Sequence, residues 1–145
     1  MKTFIRIAAL VASCFPLVSH ACNHTAMGAR SADGTEINLV ISEEDISPTT
    51  PWNPEEGEPP LAMRDAYALA MLWARPHYAD YDDVEIHRAV LAKFRCRSGG
   101  ATRLTDHWYY VFDLALVRDG RPTLEVGQWV AVLMDGRVVT PTRNR

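Results

Sequence analysis

The clearest pattern in the chain is an apolar run with helical spacing at residues 61–75, LAMRDAYALAMLWAR. Alanine, leucine and methionine favour a helix, and few charged residues interrupt the run before Arg75. Pro60 suits the first turn of a helix, and Pro76 is expected to end it. Because the apolar face is wide, the pattern predicts one long helix that is largely buried.

Alternating apolar and polar positions after this helix predict antiparallel strands. Residues 107–117, HWYYVFDLALV, place large side chains on one face of a strand, namely Trp108, Tyr110, Phe112, Leu114 and Leu116. Turn signals at Asp119–Gly120 and Asp135–Gly136 separate this strand from LEVGQWVAVLM and RVVTPT. The pattern therefore predicts a meander of three or four strands.

Residues 84–96, VEIHRAVLAKFRC, fit two structures. Alternate apolar positions are typical of a strand, whereas a capping box of Asp82 and Glu85 would begin a helix. The strands that follow favour the strand interpretation.

The segment before the helix has little regular pattern. Residues 22–35 are small and polar, and residues 36–42, EINLVIS, alternate as in a short strand. Residues 42–60 are rich in acids and hold five of the nine prolines. Proline fixes φ and lacks an amide donor, so we expect an extended surface connector that Trp52 anchors in an apolar groove. A proline-rich recognition segment is the alternative.

The first 21 residues have the pattern of an export signal. Lys2 and Arg6 precede an apolar stretch, and Ser19-His20-Ala21 resembles a cleavage site. The stretch is shorter than a membrane span and contains Pro16. The expected organisation is a signal peptide (1–21), an N-terminal segment with a short strand and a connector (22–58), and a helix-plus-sheet domain (59–145). The expected location is the periplasm, with secretion or outer-membrane lipoprotein attachment as alternatives.

The three cysteines differ in their predicted roles. Cys14 lies inside the signal, which leaves Cys22 and Cys96 to form a disulfide in an oxidising compartment. A lipid anchor at Cys14 or Cys22 is the alternative. The apolar stretch before Cys14 is short, however, and His20 is poorly suited to lipidation at Cys22. Lipidation of Cys22 would also leave Cys96 unpaired, so the sequence favours cleavage after Ala21.

Composition and charge narrow the possible partners. The chain is 48% apolar and 23% charged, as in ordinary globular proteins. Cleavage removes two of its 15 basic residues and none of its 18 acidic residues, so the mature chain is acidic. This balance argues against binding to nucleic acid or to an anionic membrane surface.

The second face of the 107–117 strand is more apolar than a face open to water should be. Its residues are Tyr109, Val111, Asp113, Ala115 and Val117. Either the N-terminal segment folds back over this face, held by the disulfide, or a protein partner or second copy covers it. Tyr109, Val111, Asp113 and Val117 are therefore the predicted partner-binding face.

No motif predicts a metal, a cofactor or a catalytic residue. The histidines of the mature chain are His24, His77, His87 and His107, and no two have the helical spacing of a zinc pair. The acidic loop at 77–83 lacks the alternating oxygens and the glycine of a calcium loop. The chain has no G-x-S-x-G motif, and an oxidised Cys96 cannot act as a nucleophile.

Three segments together carry a resemblance, namely PPLAMRDAYALAMLWA, HWYYVFDL and VAVLMDGRVVTP. Residues 59–142 resemble a group of uncharacterised small exported bacterial proteins with a PepSY/cystatin-like domain. The resemblance implies an α+β fold, with one main helix packed on a three- to four-stranded antiparallel meander. The Q-x-V-x-G loop of cystatins is absent, so protease inhibition is not implied.

These observations lead to an expected function and two alternatives. The expectation is a non-enzymatic protein-binding or inhibitory domain of the bacterial envelope, including the immunity type that neutralises a toxin. One alternative is a small enzyme or ligand-binding domain with a cleft between helix and sheet, containing Asp113, His87 and Tyr109. The other is a structural envelope factor.

Overall fold

The computed structural model describes residues 22–98 and 101–144. The predicted signal peptide and Cys14 lie outside these residues. The strands are β1 (Asn23–Arg30), β2 (Glu36–Ser42), β3 (Asp83–Ser98), β4 (Ala101–Arg118), β5 (Arg121–Thr123), β6 (Trp129–Leu133), β7 (Val138–Val139) and β8 (Thr142–Asn144). The helices are α1 (Glu43–Ile46), a 3-10 turn (Pro54–Glu56) and α2 (Met63–His77). No helix in this part of the chain is long and apolar enough to cross a membrane.

The strands form two antiparallel sheets. The larger sheet has the order β3–β4–β6–β7, and β5 pairs with the C-terminal end of β4. The smaller sheet has the order β1–β2–β8. In this sheet Glu36 pairs with Asn144 and Asn38 with Thr142, so strands distant in sequence become neighbours.

The predicted fold class, one main helix on a three- to four-stranded meander, is therefore wrong. The error arises in residues 22–35, whose small and polar side chains carry no strand signal. Side chains of β1 are only exposed or half-buried, so this strand has no apolar face to detect. The three residues of β8 are exposed as well. The second sheet consequently leaves little trace in the sequence.

The strand interpretation of residues 84–96 is confirmed. β3 pairs with β4, with register irregularities at His87 and Phe94. An extra residue in a strand exchanges the faces to which alternate side chains point. As a result, Ile86 packs toward the helix, whereas Arg88 lies opposite Asp113 on the other face.

The helix α2 packs across one face of the larger sheet. It begins at Met63 and ends at His77, one residue beyond Pro76. Its small buried side chains, Ala66, Ala70 and Ala74, allow a close approach to the sheet. They meet the predicted apolar face of β4, with Tyr110, Phe112, Leu114 and Leu116 fully buried.

The smaller sheet packs on the opposite face of the larger one. Leu39 and Ile41 of β2 share a buried cluster with Tyr109 and Val111 of β4 and with Leu133 of β6. The larger sheet is therefore covered on both sides, by α2 and by the N-terminal strands.

The predicted disulfide is present in this second core. It joins Cys22 to Cys96, and their Cα atoms are 5.6 Å apart. Both side chains are buried. A sulfur that forms a disulfide cannot also carry a lipid thioether, so the structure argues against a lipid anchor at Cys22.

The connector before α2 is attached to β4 through Trp52. Its ring meets Trp108 edge to face, with ring centroids 5.6 Å apart. The Trp108 Nε1–H donates to the Trp52 carbonyl at 2.9 Å, and the Trp52 N–H donates to the Asp106 carbonyl at 2.7 Å. The predicted anchoring role of Trp52 is confirmed.

Candidate functional site

The predicted partner-binding face is largely covered by the chain itself. Tyr109 and Val111 are buried beneath the smaller sheet, so they are core residues rather than an open surface. The N-terminal segment supplies this cover, which is the first of the two explanations that the sequence left open. Val117 is half-buried near the end of β4. Asp113 lies between these positions and has a different environment.

Burial changes the acid–base chemistry of the covered face. It raises the pKa of Tyr109 to about 12, and the nearby Arg95 charge only partly opposes that effect. His24 of β1 lies edge-on to Phe94 and Tyr109. Its pKa is lowered, first by burial and then by Arg95. Both side chains are therefore held in their neutral forms.

Asp113 is paired with a cation across the strand. The Arg88 Nε–H donates to its Oδ2 at 2.7 Å, and the two side chains are 57% and 17% exposed respectively. The bulge at His87 makes this pair possible, because it turns Arg88 onto the face of Asp113. The carboxylate thus lies low in the surface, with the guanidinium above it in partial contact with solvent.

A cleft of about 310 Å³ surrounds this ion pair. We call it the polar cleft, and its lining residues are His87, Arg88, Asp113, Leu114, Leu124, Glu125, Gln128 and Trp129. They come from β3, from β4, from the loop that joins β5 to β6, and from Trp129 at the start of β6. The polar cleft therefore lies where β3, β4 and the segment leading into β6 meet.

Gln128 is the unusual residue of the polar cleft. It is 5% exposed, and its Oε1 is buried with no hydrogen-bond partner among the described residues. A buried acceptor without a donor costs about 1–3 kcal/mol. Its backbone carbonyl, by contrast, accepts from the Leu114 N–H at 2.8 Å. The side-chain oxygen is buried at the base of the cleft, so a change of the Gln128 rotamer is needed to present it to a donor from a bound partner.

The loop before β6 fixes the position of Gln128. Gly127 has φ of +86°, and a Cβ at that position would lie 2.7 Å from Ile37 Cδ1. Only glycine combines this conformation with such a close approach at low cost. On the other side of the loop, the Tyr81 hydroxyl donates to Glu125 Oε1 at 3.4 Å. The loop therefore touches both the smaller sheet and the segment that precedes β3.

The polar cleft offers both halves of a hydrogen-bonding interaction. Gln128 provides a buried acceptor, and the part of the Arg88 guanidinium that does not bind Asp113 provides donors. Trp129 and the exposed Leu124 add apolar walls. This combination suits a group that presents an N–H and a carbonyl together, as a peptide bond does.

The other histidines that were considered as metal ligands lie apart from the polar cleft. His77 stacks on Trp73 with ring centroids 4.6 Å apart, and His107 Nδ1 lies 2.9 Å from Thr49 Oγ1. His24 is part of the covered face described above. Across residues 22–98 and 101–144, no three histidine, cysteine or acidic side chains are grouped so that they could hold a metal ion.

The structure brings together two of the three residues of the enzyme hypothesis. His87 and Asp113 share the polar cleft, whereas Tyr109 is buried in the second core. The cleft also lies on the sheet face opposite α2, not between helix and sheet. Sequence reasoning missed Gln128, Glu125 and Leu124, because residues 124–134 read as one strand and the loop within them gave no signal.

Comparison of the chain with protein-family models, with curated proteins and with solved structures found no match.

Proposed function

We propose that this protein is an exported, non-enzymatic binding domain of the bacterial envelope, and that the polar cleft holds a peptide segment of a protein partner. The observation that carries the proposal is the buried, unpartnered Oε1 of Gln128 beside the Arg88–Asp113 pair. A lone buried acceptor is unfavourable in the free protein. A partner that donates a hydrogen bond to it would remove that cost.

Export is supported by the disulfide. Cys22 and Cys96 form a buried bridge, and structural disulfides persist mainly in oxidising compartments. The pattern of the first 21 residues points in the same direction. We propose the periplasm as the compartment in which the protein is located.

The lining of the polar cleft supports a peptide partner over a small molecule. Pockets for small molecules are mostly apolar and enclose the ligand. Here most of the lining side chains are charged or polar, and Leu124 on the rim is exposed. A larger partner can place one polar group in such a cleft and rest the remainder of its surface on the rim.

The proposal is tested by replacing Gln128 with methionine, which has a similar shape and no acceptor oxygen. Free Gln128→Met protein should be about 1–2 kcal/mol more stable than wild type in denaturant unfolding, because the lone acceptor is gone. Its binding to the partner should be weaker. Higher stability together with weaker binding is expected only if the Gln128 oxygen accepts a hydrogen bond from the partner.

Binding is measured by immobilising each variant and incubating it with extract of the native cell envelope. We expect proteins retained by wild type to be lost with Gln128→Met and with Arg88→Met. The matched control is Arg30→Met, which removes an arginine from an exposed ion pair with Glu36 on the smaller sheet. Equal retention by wild type and Gln128→Met would contradict the proposal.

The enzyme hypothesis predicts a different outcome. A small molecule that raises the Tm of wild type but not of Arg88→Met, combined with no retained protein, would support a ligand-binding or catalytic role instead. The resemblance to PepSY/cystatin-like exported proteins and the immunity role stay hypotheses, and the identity of the retained partner would decide between them.

A further inference from the structure

The outer face of α2 is an apolar surface that the fold does not use. Tyr67 and Leu72 are 46% and 73% exposed, whereas Ala66, Ala70 and Ala74 are buried against the larger sheet. Single exposed apolar residues are common on protein surfaces. Tyr67 and Leu72, however, line one groove and so form a larger apolar patch that needs an explanation.

This patch contains a groove with the spacing of a helix-packing site. The groove has a volume of about 450 Å³ and is lined by Tyr67, Ala68, Met71, Leu72, Arg75 and Pro76. Ala68, Leu72 and Arg75 are related by i, i+4 and i+7, so they lie along one side of the helix. The small Ala68 leaves room for a larger side chain from a facing helix.

We infer that α2 pairs with α2 of a second copy of this chain, in antiparallel orientation about a twofold axis at the level of Ala70. In this register, a residue that lies a given number of positions before Ala70 faces the residue of the second copy that lies the same number of positions after Ala70. Leu72 of one copy then faces Ala68 of the other, so a large side chain meets a small one. The same contact occurs twice, as twofold symmetry requires.

The charges on α2 fit the same register. Asp65 and Arg75 are equally distant from Ala70, so each Asp65 would lie opposite Arg75 of the second copy. Asp65 is half-exposed and pairs with its neighbour Arg64 at 3.0 Å, and Arg75 is exposed. Two symmetric ion pairs would therefore flank the Leu72–Ala68 contacts. The agreement of shape and charge in one register favours a second copy as the occupant of the groove.

The expected association is weak. A single pair of helices of this length buries less surface than a stable dimer needs, so dissociation in the micromolar range is expected. Sedimentation velocity of the disulfide-bonded protein across micromolar to millimolar concentrations should show a rise from monomer to dimer. A monomer at every concentration would overturn the inference.

Substitutions distinguish dimerisation through α2 from nonspecific association through other exposed apolar residues. Leu72→Asp should weaken dimerisation by more than about 100-fold, since it places a charge at the centre of the contact. The control is Val126→Asp, an exposed apolar residue in the loop before β6, which should dimerise as wild type does. Equal loss with Val126→Asp would contradict the assignment to α2. Circular dichroism of each variant confirms that the fold is retained.

The register is tested by charge reversal. Asp65→Arg and Arg75→Asp should each raise the dimer Kd about tenfold, because each replaces two attractions by two repulsions. The double variant Asp65→Arg/Arg75→Asp should restore wild-type affinity. Failure of the double variant to restore it would rule out the antiparallel register. These variants remain informative even if Leu72→Asp fails to fold. They are also independent of the polar cleft, so failure here leaves the proposed function unaffected.

Discussion

At the scale of a single residue, Gly127 is a position where replacement has two separable costs. Its φ of +86° is unfavourable for any residue with a Cβ, and that Cβ would collide with Ile37. Gly34 has the same φ of +86°, but nothing lies within 4 Å of the position that a Cβ would occupy there. The two glycines therefore allow the backbone cost and the packing cost to be measured apart.

We predict that Gly127→Ala lowers the free energy of unfolding by about 2–4 kcal/mol, through backbone strain and the clash with Ile37. Gly34→Ala should cost only about 1 kcal/mol, through strain alone. Urea unfolding measures both. Equal losses in the two variants would show that the contact between Gly127 and Ile37 contributes nothing.

Tyr109 gives a prediction for alkaline pH. Its pKa is raised to about 12 in the folded state, against an ordinary value near 10. Above about pH 10 the unfolded chain loses the proton while the folded chain keeps it, so stability falls as pH rises, by up to about 1.4 kcal/mol per pH unit. This loss is complete once the pH passes the folded pKa.

Tyr109→Phe should reduce that slope in unfolding measured between about pH 9 and pH 12. Part of the slope should remain, since burial also raises the pKa of Tyr78 and Tyr110. Val126→Ala, an exposed change that removes no titratable group, serves as control and should keep the wild-type slope. An unchanged slope in Tyr109→Phe would be inconsistent with the burial of this hydroxyl group.

The same residues show how far a site can be predicted from sequence. Asp113 is visible because it interrupts an alternating apolar face, and an acid in that setting needs a partner. Its partner Arg88 is not visible, since the bulge at His87 decides which face Arg88 occupies. Gln128 is less visible still. Its significance is a missing hydrogen bond, which is a property of the folded surroundings rather than of the residue.

At the scale of elements, turn residues and apolar periodicity in the sequence predicted the hairpin, the helix and the long strand. The Asp135–Gly136 turn joins β6 to β7, with Gly136 at φ of +86°, as the hairpin pattern requires. The helix and the long strand at 107–117 follow from periodicity over many residues. β1 and β8 could not be predicted, because pairing with β2 holds them in place and neither buries an apolar face of its own.

The connector provides the prediction at this scale. Trp52→Ala should remove the contact with Trp108 and lower stability by about 1–3 kcal/mol. It should also make the connector at residues 47–60 more susceptible to limited proteolysis, because only the two hydrogen bonds of the residue 52 backbone, with Trp108 and Asp106, then hold it. Val126→Ala, an exposed change elsewhere, is the control. Unchanged cleavage rates in Trp52→Ala would mean that the prolines alone hold the connector.

At the scale of the whole molecule, the disulfide connects the smaller sheet to the larger one. Cys22 precedes β1 and Cys96 lies near the end of β3, with a sequence separation of 74. In the chain-entropy model a loop of this length restrains the unfolded state by about 4 kcal/mol. The bridge therefore supports the cover over Tyr109 and Val111, in addition to the contacts of that core.

We predict that Cys22→Ser/Cys96→Ser lowers the free energy of unfolding by about 2–5 kcal/mol. Reduction of wild type should have a similar effect, and the double variant should be insensitive to reductant. Because the covered face loses its anchor, amide exchange should rise in β1 and at Tyr109 before it rises in α2. A uniform rise over both layers would indicate a single cooperative unit.

The pairing of β2 with β8 has a consequence for the order in which the protein is assembled. The chain is made from its N-terminus, so β2 appears long before β8 and before the strands that cover Leu39 and Ile41. Helix α2 and the larger sheet can form from a continuous stretch, whereas the smaller sheet must wait for the final strand. During that interval the β1–β2 hairpin carries an exposed edge and an apolar face, and it is then that the nascent chain is most open to aggregation or to a chaperone.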